Sequence, residues 1–190
     1  EVSTLLITGA SGLIGRAVAA AMSSSHNIIC MSRNDPELNL PWVKGEFGSF
    51  EDLRQLDDKR IDGVVHLGAV TGRCLERDGI LVNLESSRCL MRYLMDRGCR
   101  KFVMASSIAA IGFQSEQFRP LHVPINNEHP CLDRDGYGFS KYLMEEVTKY
   151  YYRQNGEIDV INLRLSGVVR DDKMPPLRKV EPLRKWALGS

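Results

Sequence analysis

Tyr137 and Lys141 stand four residues apart in the stretch Tyr137-Gly138-Phe139-Ser140-Lys141, a spacing that sets both side chains on one face of a helix. A free phenol has a pKa of about 10, too high for shuttling a proton at neutral pH. A neighbouring ammonium stabilises the phenolate and moves that value down. Such a pair works with a third group, a hydroxyl that holds the substrate oxygen beside the phenol. Ser106 and Ser107, delivered together by the apolar run Lys101-Phe102-Val103-Met104-Ala105, both offer one. The chemistry is proton transfer to or from an alcohol or carbonyl oxygen.

A second stretch, Thr8-Gly9-Ala10-Ser11-Gly12-Leu13-Ile14-Gly15, follows the apolar segment Leu5-Leu6-Ile7 and precedes Ala17, Val18, Ala20, Ala21 and Met22 at helical spacing. Glycines at a strand-to-helix turn are the context of a phosphate-cradling loop. Gly9 takes backbone angles that a side chain forbids, Gly12 lets the chain approach a pyrophosphate, and Gly15 lets the helix pack closely on the sheet. The free N–H groups of Gly9, Ser11, Gly12, Leu13, Ile14 and Gly15 then lie at the positive end of the helix, facing the anion. Ile28-Ile29-Cys30-Met31 reads as the second strand, and in a dinucleotide fold its end meets the adenine ribose. It ends in Ser32-Arg33. A guanidinium there suits the 2′-phosphate of NADP, whereas Asp35 nearby leaves NAD open.

The rest of the chain supplies the elements that position these groups. A third strand is expected within Leu40–Phe47, a helix over Ser49–Leu56 capped by Ser49, and a fourth strand with its exit over Asp62–Ala69. Ile80–Arg97 reads as a long amphipathic helix with Leu84, Leu90, Met91, Leu94 and Met95 inward. Tyr137–Arg153 is the next helix, and Asp159–Leu165 is a sixth strand. Residues 112–135, rich in proline and charge, are expected to rim the site. Strands alternating with helices imply an α/β fold with a doubly wound parallel sheet, its ligand site at the carboxyl ends of the strands. His66 reads as a packed strand histidine, and no metal site is expected.

The chain has 190 residues and a net charge of +1, from 25 basic and 24 acidic side chains. That balance gives no strong field towards nucleic acid. No apolar run reaches membrane-spanning length and the N-terminus shows no signal-peptide pattern, so no membrane partner is expected. Cys30, Cys74, Cys89, Cys99 and Cys131 contain no C-x-x-C pair and read as free thiols in a reducing cytoplasm. Beyond Arg170 the pattern fails: Pro175-Pro176-Leu177-Arg178-Lys179 is echoed by Pro182-Leu183-Arg184-Lys185 without making a repeat architecture.

The glycine loop, the serine pair and Tyr137/Lys141 together resemble the extended short-chain dehydrogenase/reductase family, of the NAD-dependent epimerase/dehydratase type. The likeness runs over residues 4–170. It implies a Rossmann-type NAD(P)-binding domain over 1–170, with 171–190 the remnant or start of a small C-terminal substrate-binding region whose larger part is missing. By the resemblance, Ser107, Tyr137 and Lys141 are catalytic, Lys141 also reaches the nicotinamide ribose, and Ser106 faces the cofactor. Glu46 and Phe47 fall where the family sets an acidic–apolar pair against adenine. His66-Leu67-Gly68-Ala69 matches its His-Leu-Ala-Ala signature with one replacement, which small size should make tolerable, and Asn83 matches an asparagine that helps hold the lysine, directly or through water. The implied reaction is hydride transfer to and from a secondary hydroxyl carbon of a sugar or nucleotide sugar, by an epimerase or oxidoreductase. Dehydratases of the family carry an Asp-Glu pair after the catalytic serine, where this chain has Ile108 and Ala109.

The stretch also resembles the compact uronate dehydrogenases, so a simple NADP-dependent dehydrogenase or ketoreductase stays open beside the epimerase. A non-catalytic cofactor-sensing module is the reading from another class. The family's habit of pairing two helices per subunit implies a homodimer through Ile80–Arg97 and Tyr137–Arg153.

Overall fold

The computed structural model describes residues 2–72 and 74–174. Six parallel strands form one sheet: β1 (Thr4–Thr8), β2 (Asn27–Ser32), β3 (Trp42–Lys44), β4 (Gly63–His66), β5 (Lys101–Ser107) and β6 (Asp159–Leu165), in the order β3-β2-β1-β4-β5-β6. The winding reverses between β1 and β4, which leaves a crevice outside their carboxyl ends. Thr8 is in register with Met31 on one side and His66 on the other, so the strand ends flanking that crevice are level.

Five α-helical segments flank the sheet: α1 (Leu13–Met22), α2 (Phe50–Leu53), α3 (Glu76–Asp78), α4 (Ser86–Met95) and α5 (Gly136–Gln154). The larger core lies on one face, where Leu90, Met91, Leu94 and Met144 pack on Leu6, Met31, Val64, Phe102 and Met104. The smaller core lies on the other, with Ala19 of α1 against Ile7, Ile28 and Cys30. Of the residues expected inward on the long helix, Leu90, Met91, Leu94 and Met95 are buried and Leu84 is half-buried. Buried strands on both faces explain why β1 and β2 read as apolar runs and not as alternation.

The boundaries differ from expectation in three places. β3 is confined to Trp42–Lys44. The helix expected from Ile80 begins at Glu76, and its Gly79–Glu85 part is a wider π-helical stretch. Side chains reach into that stretch: Ser86 Oγ donates to the Leu81 carbonyl at 3.0 Å and Ser87 Oγ to the Asn83 carbonyl at 2.7 Å. Such widened turns occur mostly at functional sites. β5 runs on through Ser106 and Ser107, pairing with Arg164 and Leu165 of β6. Ser49 caps α2 as the sequence suggests, its hydroxyl accepting the Asp52 N–H at 3.3 Å.

All five cysteines are free thiols. Among the described residues no helix is long and apolar enough to cross a membrane, and no cluster of His, Cys, Asp and Glu has the makings of a metal site. Residues 175–190, with both proline-led motifs and most of the expected 171–190 region, lie outside the described residues.

His66 is fully buried at the end of β4. Ser87 gives its own proton to the Asn83 carbonyl, so the 2.8 Å contact is His66 Nε2–H donating to Ser87 Oγ. Nδ1 then accepts the Thr8 hydroxyl at 2.6 Å. This is the neutral imidazole, and burial holds its pKa down at about 3, with the Lys141 charge adding to the effect. Between pH 6.5 and 3 the unfolded chain binds a proton there that the folded chain refuses, so stability falls as pH drops through that window. Urea unfolding from pH 7 to 4.5 should show His66→Gln with a flatter pH dependence than the parent, the difference approaching about 1.4 kcal/mol per pH unit. Equal slopes would refute a neutral His66.

Candidate active site

The crevice between the β1 and β4 ends opens into a cleft of about 1070 Å³. Its floor is the glycine loop: Gly9, Ser11, Gly12, Leu13, Ile14 and Gly15 all line it. Gly9 has φ +67, and a Cβ there would lie 2.7 Å from the Gly68 nitrogen. A Cβ on Gly15 would come within 2.2 Å of the Gly9 carbonyl oxygen. At Gly12 the only close neighbour is the Gly9 oxygen at 3.2 Å. Backbone therefore forms the surface at the N-terminus of α1, in the arrangement that receives a phosphate. The observed cradle fits the pyrophosphate of a dinucleotide.

Arg33, Glu46, Phe47, Leu67, Gly68 and Ala69 line the same cleft. Arg33 is exposed, and its side chain makes no hydrogen bond or ion pair among the described residues. Asp35 is occupied within its own turn, where its carboxylate accepts the Glu37 N–H at 2.7 Å, and Glu37 pairs with Arg16 at 2.8 Å. The β4 exit is held from below, with Thr8 Oγ1 accepting the Leu67 N–H at 3.2 Å and the Gly68 N–H at 3.4 Å. Phe47 meets the His66 ring edge-on at 4.7 Å between centroids.

On the far wall, Ser107 caps a short 3₁₀ turn (Ile108–Ile111) by accepting the Ala109 N–H at 3.1 Å, and it lies close enough to Tyr137 to draw the phenol pKa down. Asp135 caps α5, accepting from the N–H groups of Tyr137 at 2.8 Å and Gly138 at 3.2 Å. That fixes the start of the helix and with it the direction of Tyr137. Lys141, one turn on, is 2% exposed. Its Nζ donates to the Ala105 carbonyl at 2.7 Å and lies 6.0 Å from the centre of the Tyr137 ring. Burial brings the Lys141 ammonium down to about 8.

The Tyr137 phenol departs from expectation. It is pushed up, first by burial and to a smaller extent by Cys74 and Asp135, while Ser107 draws it down. The ammonium reaches past the ring to a backbone carbonyl, and desolvation of the phenolate prevails. The direct partners of Asn83 are groups other than Lys141. Its amide oxygen accepts the Val70 N–H at 2.9 Å and its amide nitrogen donates to Val70 and Ser140 at 3.0 Å each. It lies beneath the cleft and braces the loop after β4 against α5. Ser106 lines the cleft, but its hydroxyl is given to Glu145.

The residues expected on sequence grounds therefore converge on one cleft, Asn83 excepted. Gln114 and Ser166 also line the cleft, Gln114 from within the 112–135 stretch expected to rim it. The particular roles of Asp135 and Glu145 were not anticipated, although an aspartate two residues before Tyr137 is a helix-start signal and Glu145 lies one turn beyond Lys141 on the same face.

The NAD dependent epimerase/dehydratase family model matches residues 5–172. The chain belongs to that family. A UDP-glucose 4-epimerase from Cyamopsis tetragonoloba is 26% identical over 85% of this chain and 51% of its own length. An uncharacterised Bacillus subtilis protein, YtbQ, is also 26% identical, over 97% of this chain and 75% of its own. A short-chain dehydrogenase/reductase from Agrobacterium tumefaciens, solved with bound NAD, superposes with a TM-score of 0.74 at 27% identity, over 85% of this chain and 48% of its own. The chain thus spans about half the length of the plant epimerase and of that structure.

Within the family signature this chain has Gly68, and the structure shows a steric reason for it. A Cβ there would come within 2.4 Å of the Phe47 ring. Glycine is accommodated here, and an alanine in this chain needs a smaller neighbour at position 47. Gly68→Ala should cost about 1–3 kcal/mol in urea unfolding through overpacking, and Phe47→Leu in the same chain should recover most of it. Additive losses in the two single variants and the double would show that the pair is not coupled.

Proposed function

We propose that this protein is an NAD(P)-dependent epimerase or oxidoreductase acting on a secondary alcohol or ketone of a sugar or nucleotide sugar, with Tyr137 as its acid/base. The observation carrying the reading is that Ser107, Tyr137 and Lys141 together line the wall of the cleft whose floor is the glycine loop. Family membership and the epimerase relative support it.

When bound, the nicotinamide supplies a hydride acceptor or donor. The chain's part is binding and proton transfer. Ser107 holds the substrate oxygen, and Tyr137 takes the hydroxyl proton in oxidation and returns it in reduction. Burial raises the phenol, so the acid form that serves reduction is the resident one; oxidation needs the phenolate, which the positive charges of Lys141 and of a bound oxidised nicotinamide would favour. Lys141, anchored on Ala105 with its Nζ 6.0 Å from the centre of the Tyr137 ring, would supply positive charge to the phenol and hold the ribose of a bound cofactor. An epimerase uses both directions at one carbon, returning the hydride to the opposite face. Dehydration is disfavoured by Ile108 and Ala109, which offer no acid or base in the positions after Ser107.

Arg33 favours a second reading, a simple NADP-dependent dehydrogenase or ketoreductase. It lines the cleft with its guanidinium uncommitted among the described residues, while Asp35 is turned into its loop. NADPH should therefore bind more tightly than NADH in a fluorescence titration. Arg33→Ala should weaken NADPH on the order of tenfold and leave NADH within about twofold; equal affinities in the parent would remove the NADP argument.

Tyr137→Phe should lower kcat with UDP-glucose as probe by about a hundredfold or more while cofactor affinity holds. Conversion of UDP-glucose without net change in NADPH absorbance marks the epimerase, and net absorbance change marks the dehydrogenase. Cofactor binding with neither, across nucleotide sugars and uronates, would favour a sensing module.

A further inference from the structure

Glu145 is a buried carboxylate, 2% exposed, one turn beyond Lys141 on α5. It accepts the hydroxyl of Ser106 and pairs with Arg164 of β6 through Nε at 3.0 Å and Nη2 at 2.8 Å. The Arg164 Nη1 goes on to the Asn127 carbonyl at 3.2 Å, in the rim over residues 112–135. We infer that Glu145 is a positioning residue, which holds the last two residues of β5 so that Ser107 faces Tyr137. The inference rests on the acid/base reading of that pair.

Three observations carry it. Ser106 and Ser107 are adjacent in an extended strand, so fixing one side chain fixes the direction of the other, which points to the opposite face. Tyr137, Lys141 and Glu145 occupy successive turns of one helix face, and they engage Ser107, the Ala105 carbonyl and Ser106 respectively. Finally, a buried ion pair contributes little net stability compared with a packed apolar pair. Its geometry here connects the catalytic strand end, the helix and the rim, which a hydrophobic replacement would not do.

The groups facing the Tyr137 phenol are Ser107 from β5, Lys141 and Asp135 from and beside α5, and Cys74 from the loop after β4. Of these, Ser107, beside Tyr137 in the cleft wall, alone draws the phenol down. Releasing Ser106 therefore has a signature at a distance. In protein labelled with [13Cζ]tyrosine, the Tyr137 signal (assigned with Tyr137→Phe) should titrate about half a pH unit or more higher in Glu145→Ala and in Ser106→Ala than in the parent. Glu145→Gln keeps an acceptor for Ser106 and should titrate like the parent. With UDP-glucose and NADPH or NADH, kcat of Glu145→Ala should fall about tenfold or more with cofactor affinity within about twofold, and Glu145→Gln should recover most of it.

A Tyr137 titration unmoved in Glu145→Ala overturns the inference, whether or not kcat or the unfolding midpoint falls, because Glu145 would then be only a brace. If Glu145→Ala does not fold, Ser106→Ala removes the same bond with the ion pair intact and decides by the same shift. If the parent turns over no nucleotide sugar, the proposed function fails while the titration still decides whether Glu145 positions the pair.

Discussion

The structure depends on one match of periods. A helix presents a side chain to the same line every three to four residues, and a strand presents its backbone and alternate side chains every one to two. On α5 the residues 137, 141 and 145 meet the end of β5 at Ser107, Ala105 and Ser106. Each contact is of a different kind: hydroxyl to phenol, ammonium to carbonyl, hydroxyl to carboxylate. The helix thus docks in one rotational setting, and the cleft wall is defined by that setting. Asp135 sets where the helix begins, and Gly138 lets the Ala109 carbonyl and Asp133 come in against it, where a Cβ would lie 2.3 Å and 2.1 Å from their oxygens.

Burial then decides the charge states. It lowers the ammonium of Lys141, lowers the imidazole of His66 and raises the phenol of Tyr137, in each case by disfavouring the charged form. The wall of the cleft therefore has a neutral acid, a weakened cation and a neutral imidazole behind it. The exposed guanidinium of Arg33 stands apart at the other end of the cleft, where its donors are open to an anionic ligand.

Much of this was legible in the sequence because it is local. The glycine loop, the Ser49 cap and the four-residue Tyr137–Lys141 spacing are written in neighbouring residues, and the alternation of apolar runs gave the parallel sheet. What could not be read depends on residues brought together from far apart. The rise of the Tyr137 phenol follows from desolvation and from where the Lys141 ammonium points, neither of which spacing reveals. Asn83 binds Val70 thirteen residues back, and Glu145 meets Ser106 and Arg164 across the sheet. The π-helical turn is equally hidden, since the side chains that accompany it also favour ordinary helix.

The chain of hydrogen bonds beneath the β4 exit has a sense of direction. From the Leu67 N–H to Thr8, from Thr8 to His66, from His66 to Ser87 and from Ser87 to the Asn83 carbonyl, every donor points the same way. Aligned links polarise one another, so the row behaves as a small dipole built from side chains, its donor end at the cleft and its acceptor end inside the widened turn of the long helix. No hydroxyl in it can rotate alone, because each has one proton and that proton is already committed. The loop that follows β4 is consequently tied to the helix behind it through a single ordered state, and a disturbance at either end must be met by all four links together.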